Sequence, residues 1–273
     1  MLPLAGPEFP TSADALKIAI EGGLRRFGVA PHEVQVGGMY PALDSVRIDL
    51  TGMQASRTQR APVAAEKASG ELLIAKMEIV AAPAYFEDAP LELAIRADHA
   101  RFSYARDAER QPLLTLSGAA AGSVLIEAKR VALEELLHTV AKETAGKQGV
   151  EIKRTHLELT SRGPRLLSFR AEVTAKMFIV SAAITVSGQI AIDDQLTGRL
   201  SDLRFTGDGM IANVAGGYIR PLLAQFEGRT VPLLAFSLGD LRLRDLQISG
   251  GESLRVSAEF GETTPKLAAT AAL

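Results

Sequence analysis

Histidines and carboxylates are the side chains of this sequence that could carry acid–base chemistry or bind a metal. His138 follows Glu134 by four residues and Glu135 by three, a spacing that places side chains on one face of a helix. Such a group could transfer a proton or ligate a metal ion. We favour a simpler interpretation, a solvent-exposed helical pair of Glu134 with His138. His99 and His156 lie where strand patterns change phase, without a catalytic motif around them, so we expect no catalytic role for either.

Known nucleophile, metal and phosphate motifs are missing from the sequence. It contains no Gly-x-Ser-x-Gly turn and no serine followed three residues later by lysine. Residues 193–198 lack the alternating carboxylates and the closing glutamate of a calcium loop, so they are interpreted as a tight turn. Residues 118–123 have the glycines of a phosphate loop but no lysine. We therefore expect neither an enzyme nor a bound cofactor or metal.

The composition excludes further classes of protein. The 273 residues contain 30 Lys and Arg against 32 Asp and Glu, so a surface that binds nucleic acid through overall positive charge is not expected. The basic pairs are scattered among acidic residues and indicate solvated faces that could contact anionic headgroups weakly. With no cysteine, the chain has no disulfide framework and no thiolate metal site.

Apolar residues at helical spacing predict three helices. The first begins after Thr11 or Ser12 as the N-cap and ends at Gly28. The second spans about residues 131–148 and the third about 209–227. Pro221 lies inside the third helix, so we predict either a kink between Gly217 and Leu222 or a new helix that begins at Pro221.

Alternating apolar residues predict antiparallel strands in most of the remaining chain, including a closing hairpin through Gly250-Gly251. The alternation changes phase at Asp98-His99, near Thr155-His156 and at Arg244-Asp245, which indicates β-bulges and a strongly curved sheet. The fold class expected is α+β, with a long, mainly antiparallel sheet curved around the third helix. Residues 1–261 are expected to form one domain and residues 262–273 a flexible tail.

The segment from about residue 123 to 260 resembles the LmeA-like family of bacterial envelope proteins, in the tubular lipid-binding (TULIP) superfamily. Apolar patterns rather than catalytic residues carry the resemblance. They are Val131-Ala132-Leu133-Glu134-Glu135-Leu136-Leu137, the strand 196–205, Gly209, Tyr218-Ile219-Arg220-Pro221-Leu222-Leu223, Leu241-Arg242-Leu243-Arg244-Asp245-Leu246-Gln247-Ile248, Gly250-Gly251, Leu254-Arg255-Val256 and Phe260-Gly261.

The resemblance implies an apolar tunnel that binds, and could transfer, phospholipid or another acyl-chain lipid without catalysis. Periodicity places one face of the third helix, the facing strands and the second helix around that tunnel. The expected partners are a phospholipid or fatty-acyl ligand and peripheral contact with a membrane. The expected lipid-binding residues are Ile211, Val214, Ala215, Tyr218, Leu222, Phe226, Val180, Ile184, Val186, Leu133 and Leu137.

Two other functions stay open at this point. One is a structural envelope scaffold whose core is filled by its own side chains, and the other is a lipid-acting hydrolase. The lipid, the transfer partner and the oligomeric state are also open. Without a signal peptide or transmembrane segment in the pattern, the expected location is cytoplasmic or membrane-peripheral, or periplasmic if a signal was removed.

Overall fold

The structure, a computed structural model, describes residues 1–56, 62–146, 150–177, 180–232 and 242–262. These residues form an α+β fold that consists mostly of strands, as the sequence predicts. The three predicted helices are present as α1 (Ala13–Arg26), α2 (Arg130–Gly146) and α3 (Gly209–Phe226). Ser12 is the N-cap of α1, because its hydroxyl accepts a hydrogen bond from the Ala15 amide at 3.1 Å.

Fifteen strands account for the other regular structure of the described residues. In chain order they are β1 (Leu2–Pro3), β2 (Glu33–Met39), β3 (Ala42–Asp49), β4 (Gln54–Ala55), β5 (Glu66–Phe86), β6 (Ala89–Arg106), β7 (Pro112–Gly118), β8 (Ala121–Lys129), β9 (Glu151–Gly163), β10 (Leu166–Met177), β11 (Val180–Ile192), β12 (Thr197–Gly207), β13 (Thr230–Pro232), β14 (Arg242–Ser249) and β15 (Ser253–Gly261).

The strands form two sheets, where the sequence predicts one continuous sheet. The larger sheet has the order β14-β15-β8-β6-β5-β3-β2, with β7 beside β6, β1 beside β7 and β4 beside β5. The smaller sheet has the order β13-β12-β11-β10-β9. Pairing is antiparallel except between β5 and its neighbours β3 and β4, which are parallel to it. The predicted hairpin of β14 and β15 is confirmed.

The three changes of strand phase correspond to local irregularities. In β6, Ala97 and Ala100 are both buried, while Asp98 and His99 between them are exposed and His99 has a φ of 49°. The other two irregularities are β-bulges, in which one strand has an extra residue that its partner strand lacks. The extra residue is Lys153 in β9 and Arg244 in β14.

The main hydrophobic core lies between α1 and the larger sheet. Leu16, Ile20 and Leu24 of α1 are buried in it, together with β2, β3, β5 and β6 residues such as Ile48 and Leu72. The spacing of the three α1 residues, four apart, forms the apolar stripe that the sequence predicts.

The smaller sheet joins the larger one through the loop before β10. The Ile248 amide donates a hydrogen bond to the Pro164 carbonyl at 2.8 Å. The Arg165 guanidinium donates to Asp245 at 2.7 Å and to Asp194 at 2.9 Å. Hydrogen bonds from Arg165 and Gln247 hold the pKa of the Asp245 carboxyl below its usual range. The two sheets are therefore connected by backbone and charge-assisted hydrogen bonds at the bulge of β14.

Helix α3 continues through Pro221 as one helix, so the predicted start of a second helix there is wrong. Pro221 has no N–H to donate to the Gly217 carbonyl, and the predicted kink at this point stays a prediction. Within the ranges that the structure describes, none of the helices has both the length and the apolar character needed to cross a bilayer.

Candidate functional site

Alternate residues of β10, from Leu167 to Ala175, are apolar and point to one face of the smaller sheet. This face, together with the residues of β9 and β11 that pair with them, is here called the inner face. At one end Ala175 of β10 and Ile152 of β9 pack with Ala212 of α3 in a small buried cluster. At the other end Leu167 of β10 packs with Ile248 of the β14–β15 hairpin in a second cluster. The helices and the hairpin thus cover opposite ends of the same face.

Between these two clusters the inner face carries Phe169, Ala171 and Val186, which are only partly buried. Ala171 pairs with Val186, and Phe169 pairs with Gly188. A β-carbon at Gly188 would lie 2.8 Å from Cζ of Phe169, so the absence of a side chain there lets the Phe169 ring lie against the sheet. The middle of the inner face is therefore apolar, with Leu157 of β9 buried beside Ala171 and the other three residues partly covered.

Helix α3 contacts the smaller sheet through small residues. Ala212 and Gly216 are buried, and a β-carbon at Gly216 would lie 3.0 Å from the ring of Phe205 in β12. The Arg220 guanidinium lies 5.2 Å from the centre of the same ring, within cation–π range. Leu222 and Phe226 of α3 are exposed, at 54% and 40%, while Ile219 and Leu223, on the side of Gly216, are partly buried.

Helix α2 has the same distribution of small and large residues. Ala141 and Ala145 pack against the cluster that contains Ile152. Leu137 is 37% exposed, and Val140 is exposed to the same extent. Both helices therefore place alanine or glycine against the sheet and leave some of their larger apolar side chains accessible. Exposed apolar residues mark a binding surface where they form one large contiguous patch.

The structure brings only part of the predicted lipid-binding set onto this surface. Ile184 is buried in the cluster with Ala212, and Ala215 packs against that cluster. Leu133 and Val186 are half-buried. The side chains of Ile211, Tyr218 and Val180 lie outside the described residues. The exposed members of the set are Val214, Leu222, Phe226 and Leu137.

A polar cluster that the sequence does not predict holds α2 against β9. The Glu134 Oε1 atom accepts hydrogen bonds from the Arg130 guanidinium at 2.7 Å and from the Leu157 amide at 2.8 Å. It also lies 2.9 Å from Nδ1 of His156. The expected partner of Glu134, His138, instead lies 3.3 Å from the Thr155 hydroxyl. The predicted Glu134–His138 pair is therefore replaced by contacts of both residues with β9.

These contacts occupy the free edge of the smaller sheet. Among the described residues, strand β9 has one hydrogen-bonded neighbour, β10, so no described strand pairs with the Leu157 amide and carbonyl on the other side. Glu134 accepts from that amide, and Arg130 lies 3.4 Å from that carbonyl. Side chains of α2 thereby satisfy backbone groups that another strand would otherwise pair with.

Electrostatics at the cluster favour a charged Glu134. Burial alone would raise the pKa of the Glu134 carboxyl, but the Leu157 amide and the neighbouring Arg130 and His156 together hold that pKa below its usual range. A cavity of about 390 Å³ opens beside the cluster, lined by Glu134, Glu135 and His138 among others. In the part of the chain that the structure describes, no three such side chains are arranged to hold a metal ion.

Periodicity could not reveal this cluster, because Glu134 and His156 are far apart in sequence and meet only when α2 lies along β9. The change of phase near Thr155-His156 was the one local signal of an unusual edge. Comparison with known proteins finds no matching family model, no matching curated protein and no matching solved structure.

Proposed function

We propose that this protein binds an acyl-chain lipid, without catalysis, in an apolar groove formed by α2, α3 and the middle of the inner face. The observation that carries the proposal is that both helices place small residues against the sheet and leave Leu137, Leu222 and Phe226 exposed. The proposal includes the finer features implied by the resemblance to the LmeA-like family, namely a TULIP-like sheet wrapped around α3 and contact with a membrane.

The chemistry of an acyl chain suits this surface. Each methylene group removed from water contributes about 0.8 kcal/mol, so a long chain could bind through apolar contacts alone. Phe169, Ala171 and Val186 would provide the floor of the groove, with Leu137 of α2 and with Leu222 and Phe226 of α3 as its walls. Recognition of the headgroup would then depend on polar groups at the ends of the groove.

The first experiment asks whether lipid accompanies the protein. Purified protein is extracted with organic solvent, and the extract and the intact protein are analysed by mass spectrometry. Copurified phospholipid or fatty acid supports the groove. A clean protein that also fails to bind a fluorescent C18 fatty acid supports the scaffold with a filled core instead.

The second experiment compares two exposed apolar residues on different helices. Leu222→Glu should weaken binding of the fluorescent fatty acid about 10- to 100-fold, because burial of a leucine contributes about 1.5–3 kcal/mol. The matched control is Ile18→Glu on α1, where Ile18 is 69% exposed and far from the groove in the fold. Equal effects of the two substitutions would argue against a groove at α3.

Hydrolysis is tested on the same preparations. An acyl-ester substrate should remain intact in the presence of the protein. Turnover that persists through purification and is lost on substitution of a single serine or histidine would favour the lipid-acting hydrolase.

A further inference from the structure

The two ends of the proposed groove differ in chemistry. At one end α2, α3 and the smaller sheet meet through apolar side chains, among them Ile152, Ala175 and Ala212. The other end is where α3 finishes, because the chain continues from α3 into β13, which pairs with residues 197–199 at the start of β12. Leu196, just before those residues, belongs to the cluster with Ile248 of the hairpin. The end of α3 therefore lies at the hairpin end of the inner face.

Arg229 follows α3 at this end of the groove. Its guanidinium carbon lies 5.6 Å from the centre of the Phe226 ring, within cation–π range, and Phe226 is one of the walls of the groove. Backbone hydrogen bonds fix the turn that carries Arg229. Its amide donates to the Phe226 carbonyl at 3.1 Å, and the Leu200 amide donates to the Arg229 carbonyl at 3.3 Å. A positive charge is therefore held at the border of the apolar surface.

The Arg229 guanidinium has no carboxylate partner among the described residues. Glu227, the nearest acidic residue in sequence, accepts hydrogen bonds from the Asp202 and Leu203 amides at 3.1 and 2.7 Å instead. Helix α3 itself contains no aspartate or glutamate. Since a guanidinium has five N–H donors, Arg229 could bind an anionic group without first breaking an ion pair.

Two other arginines are near the same end. Arg165 already donates to two aspartate side chains, so its charge is compensated within the protein. Arg199 of β12 lies beside the turn after α3, with a guanidinium nitrogen 4.0 Å from the position that a β-carbon would occupy at Gly228. Arg199 therefore adds to the positive charge around Arg229.

We propose that this end of the groove holds an anionic headgroup, a carboxylate or a phosphate, and that Arg229 recognises it. The inference rests on the proposed function, because it names the class of lipid that the groove accepts and the direction in which the lipid binds. The planar fork of a guanidinium matches the oxygen atoms of either anion. The acyl chain then runs over Ala171 and Val186 toward the apolar end, where its terminal methyl group needs no polar partner.

The first test uses two fluorescent C18 probes that differ only in the headgroup, a polyene fatty acid and the corresponding alcohol. At neutral pH the wild-type protein should bind the acid about 10-fold more tightly than the alcohol, since only the acid offers a charged partner to Arg229. Arg229→Gln should remove this preference by weakening binding of the acid alone. Arg229→Lys keeps the charge without the fork and should retain part of the preference.

The matched control is Arg154→Gln. Arg154 is also exposed, but it is on β9, at the opposite edge of the smaller sheet from β12 and β13. This variant should bind both probes as the wild-type protein does. The thermal midpoint of each variant shows whether it is folded, and Arg229→Lys keeps the test available if glutamine at this position lowers stability.

The second test identifies the anion. Oleate and oleoyl lysophosphatidate are compared with monooleoylglycerol, a neutral lipid with the same chain, as competitors of the alcohol probe. Stronger competition by oleate supports a carboxylate ligand, and stronger competition by lysophosphatidate supports a phosphate. Monooleoylglycerol competing as well as both anions would overturn the inference.

The third test determines the direction of binding. Two photoreactive fatty acids carry a diazirine either beside the carboxylate or beside the terminal methyl group. The first should label the peptide that contains Arg229, and the second the peptides that contain Ile152 or Ala212. Reversed or identical labelling would overturn the proposed direction.

The outcomes separate the headgroup site from the groove. Equal binding of acid and alcohol by the wild-type protein overturns the headgroup site and leaves the groove in place. A preference that survives Arg229→Gln overturns the role of Arg229. Equal weakening of both probes in a folded Arg229→Gln variant shows that Arg229 only supports the end of α3, and also overturns it. A wild-type protein that binds neither probe overturns the groove and the headgroup site together.

Discussion

Two regions of this molecule place a helix on a sheet and use it differently. Helix α1 buries Leu16, Ile20 and Leu24 in the main core and presents mostly polar residues to solvent. Helix α3 buries Ala212 and Gly216 and presents leucine and phenylalanine to solvent. The comparison teaches that the same element can stabilise a fold or keep apolar surface available, depending on which of its sides carries the small residues.

The largest expected difference between the main core and the helices on the smaller sheet comes from a leucine-to-alanine substitution made in each. Leu16→Ala should lower the free energy of unfolding by about 2–5 kcal/mol, because it leaves a cavity beneath α1 in a fully buried site. Leu137→Ala on α2 should cost under about 1 kcal/mol, because that side chain is partly in water already. Urea unfolding of both variants measures the two values. Similar losses would mean that α2 is packed as tightly as α1.

A pair of helical glycines tests how close each helix lies to its sheet. At Gly23 of α1 a β-carbon would lie 2.8 Å from the Leu4 backbone, so Gly23→Ala should destabilise by about 1–3 kcal/mol. At Gly216 of α3 a β-carbon would lie 3.0 Å from the Phe205 ring. Because that neighbour is a side chain rather than backbone, it can shift to make room.

Alanine is favoured over glycine in a helix by up to about 1 kcal/mol, so Gly216→Ala should be neutral or slightly stabilising. Thermal unfolding of the two variants gives the sign for each. A strong loss at both positions would contradict the looser contact of α3.

Lowering the pH should loosen the contact of α2 with β9 before it affects the main core, without any substitution. Since the pKa of Glu134 is lowered in the folded protein, its contacts stabilise α2 above the usual glutamate pKa of about 4.3 and are lost as the pH falls through the lowered value. Hydrogen exchange at Leu157, corrected for the intrinsic rate, should therefore accelerate below about pH 4.3 relative to amides beside Leu72. Parallel behaviour of the two amides down to global unfolding would show that α2 does not open on its own.

Local signals made much of the fold predictable. The N-cap at Ser12, the stripe of α1, the Gly250-Gly251 hairpin and the phase change at His99 all depend on residues close in sequence. The division into two sheets and the parallel alignment of β3 with β5 depend on pairing between distant segments, which alternation of polar and apolar residues does not encode.

The sequence predicts which residues of α3 are apolar, but not which side of the helix faces the sheet. Periodicity identifies the side of α3 that contains Val214, Leu222 and Phe226 as apolar, and hydrophobicity alone places such a side inward. The structure places Ala212 and Gly216 inward, because only small residues allow the helix axis to approach Phe205 closely. Ala and Gly contribute little to an apolar stripe, so this contact is invisible to a scale that ranks residues by hydrophobicity.

The Leu157 backbone has a consequence for the molecule in concentrated solution. Its outward amide and carbonyl are paired by Glu134 and Arg130, which ends the smaller sheet at β9. If these side chains withdraw, β9 presents an unprotected edge that could hydrogen-bond to the same strand of a second molecule. Variants at Glu134 should therefore be watched for self-association and fibril growth, since the residue that keeps α2 in place also keeps one molecule from extending the sheet of another.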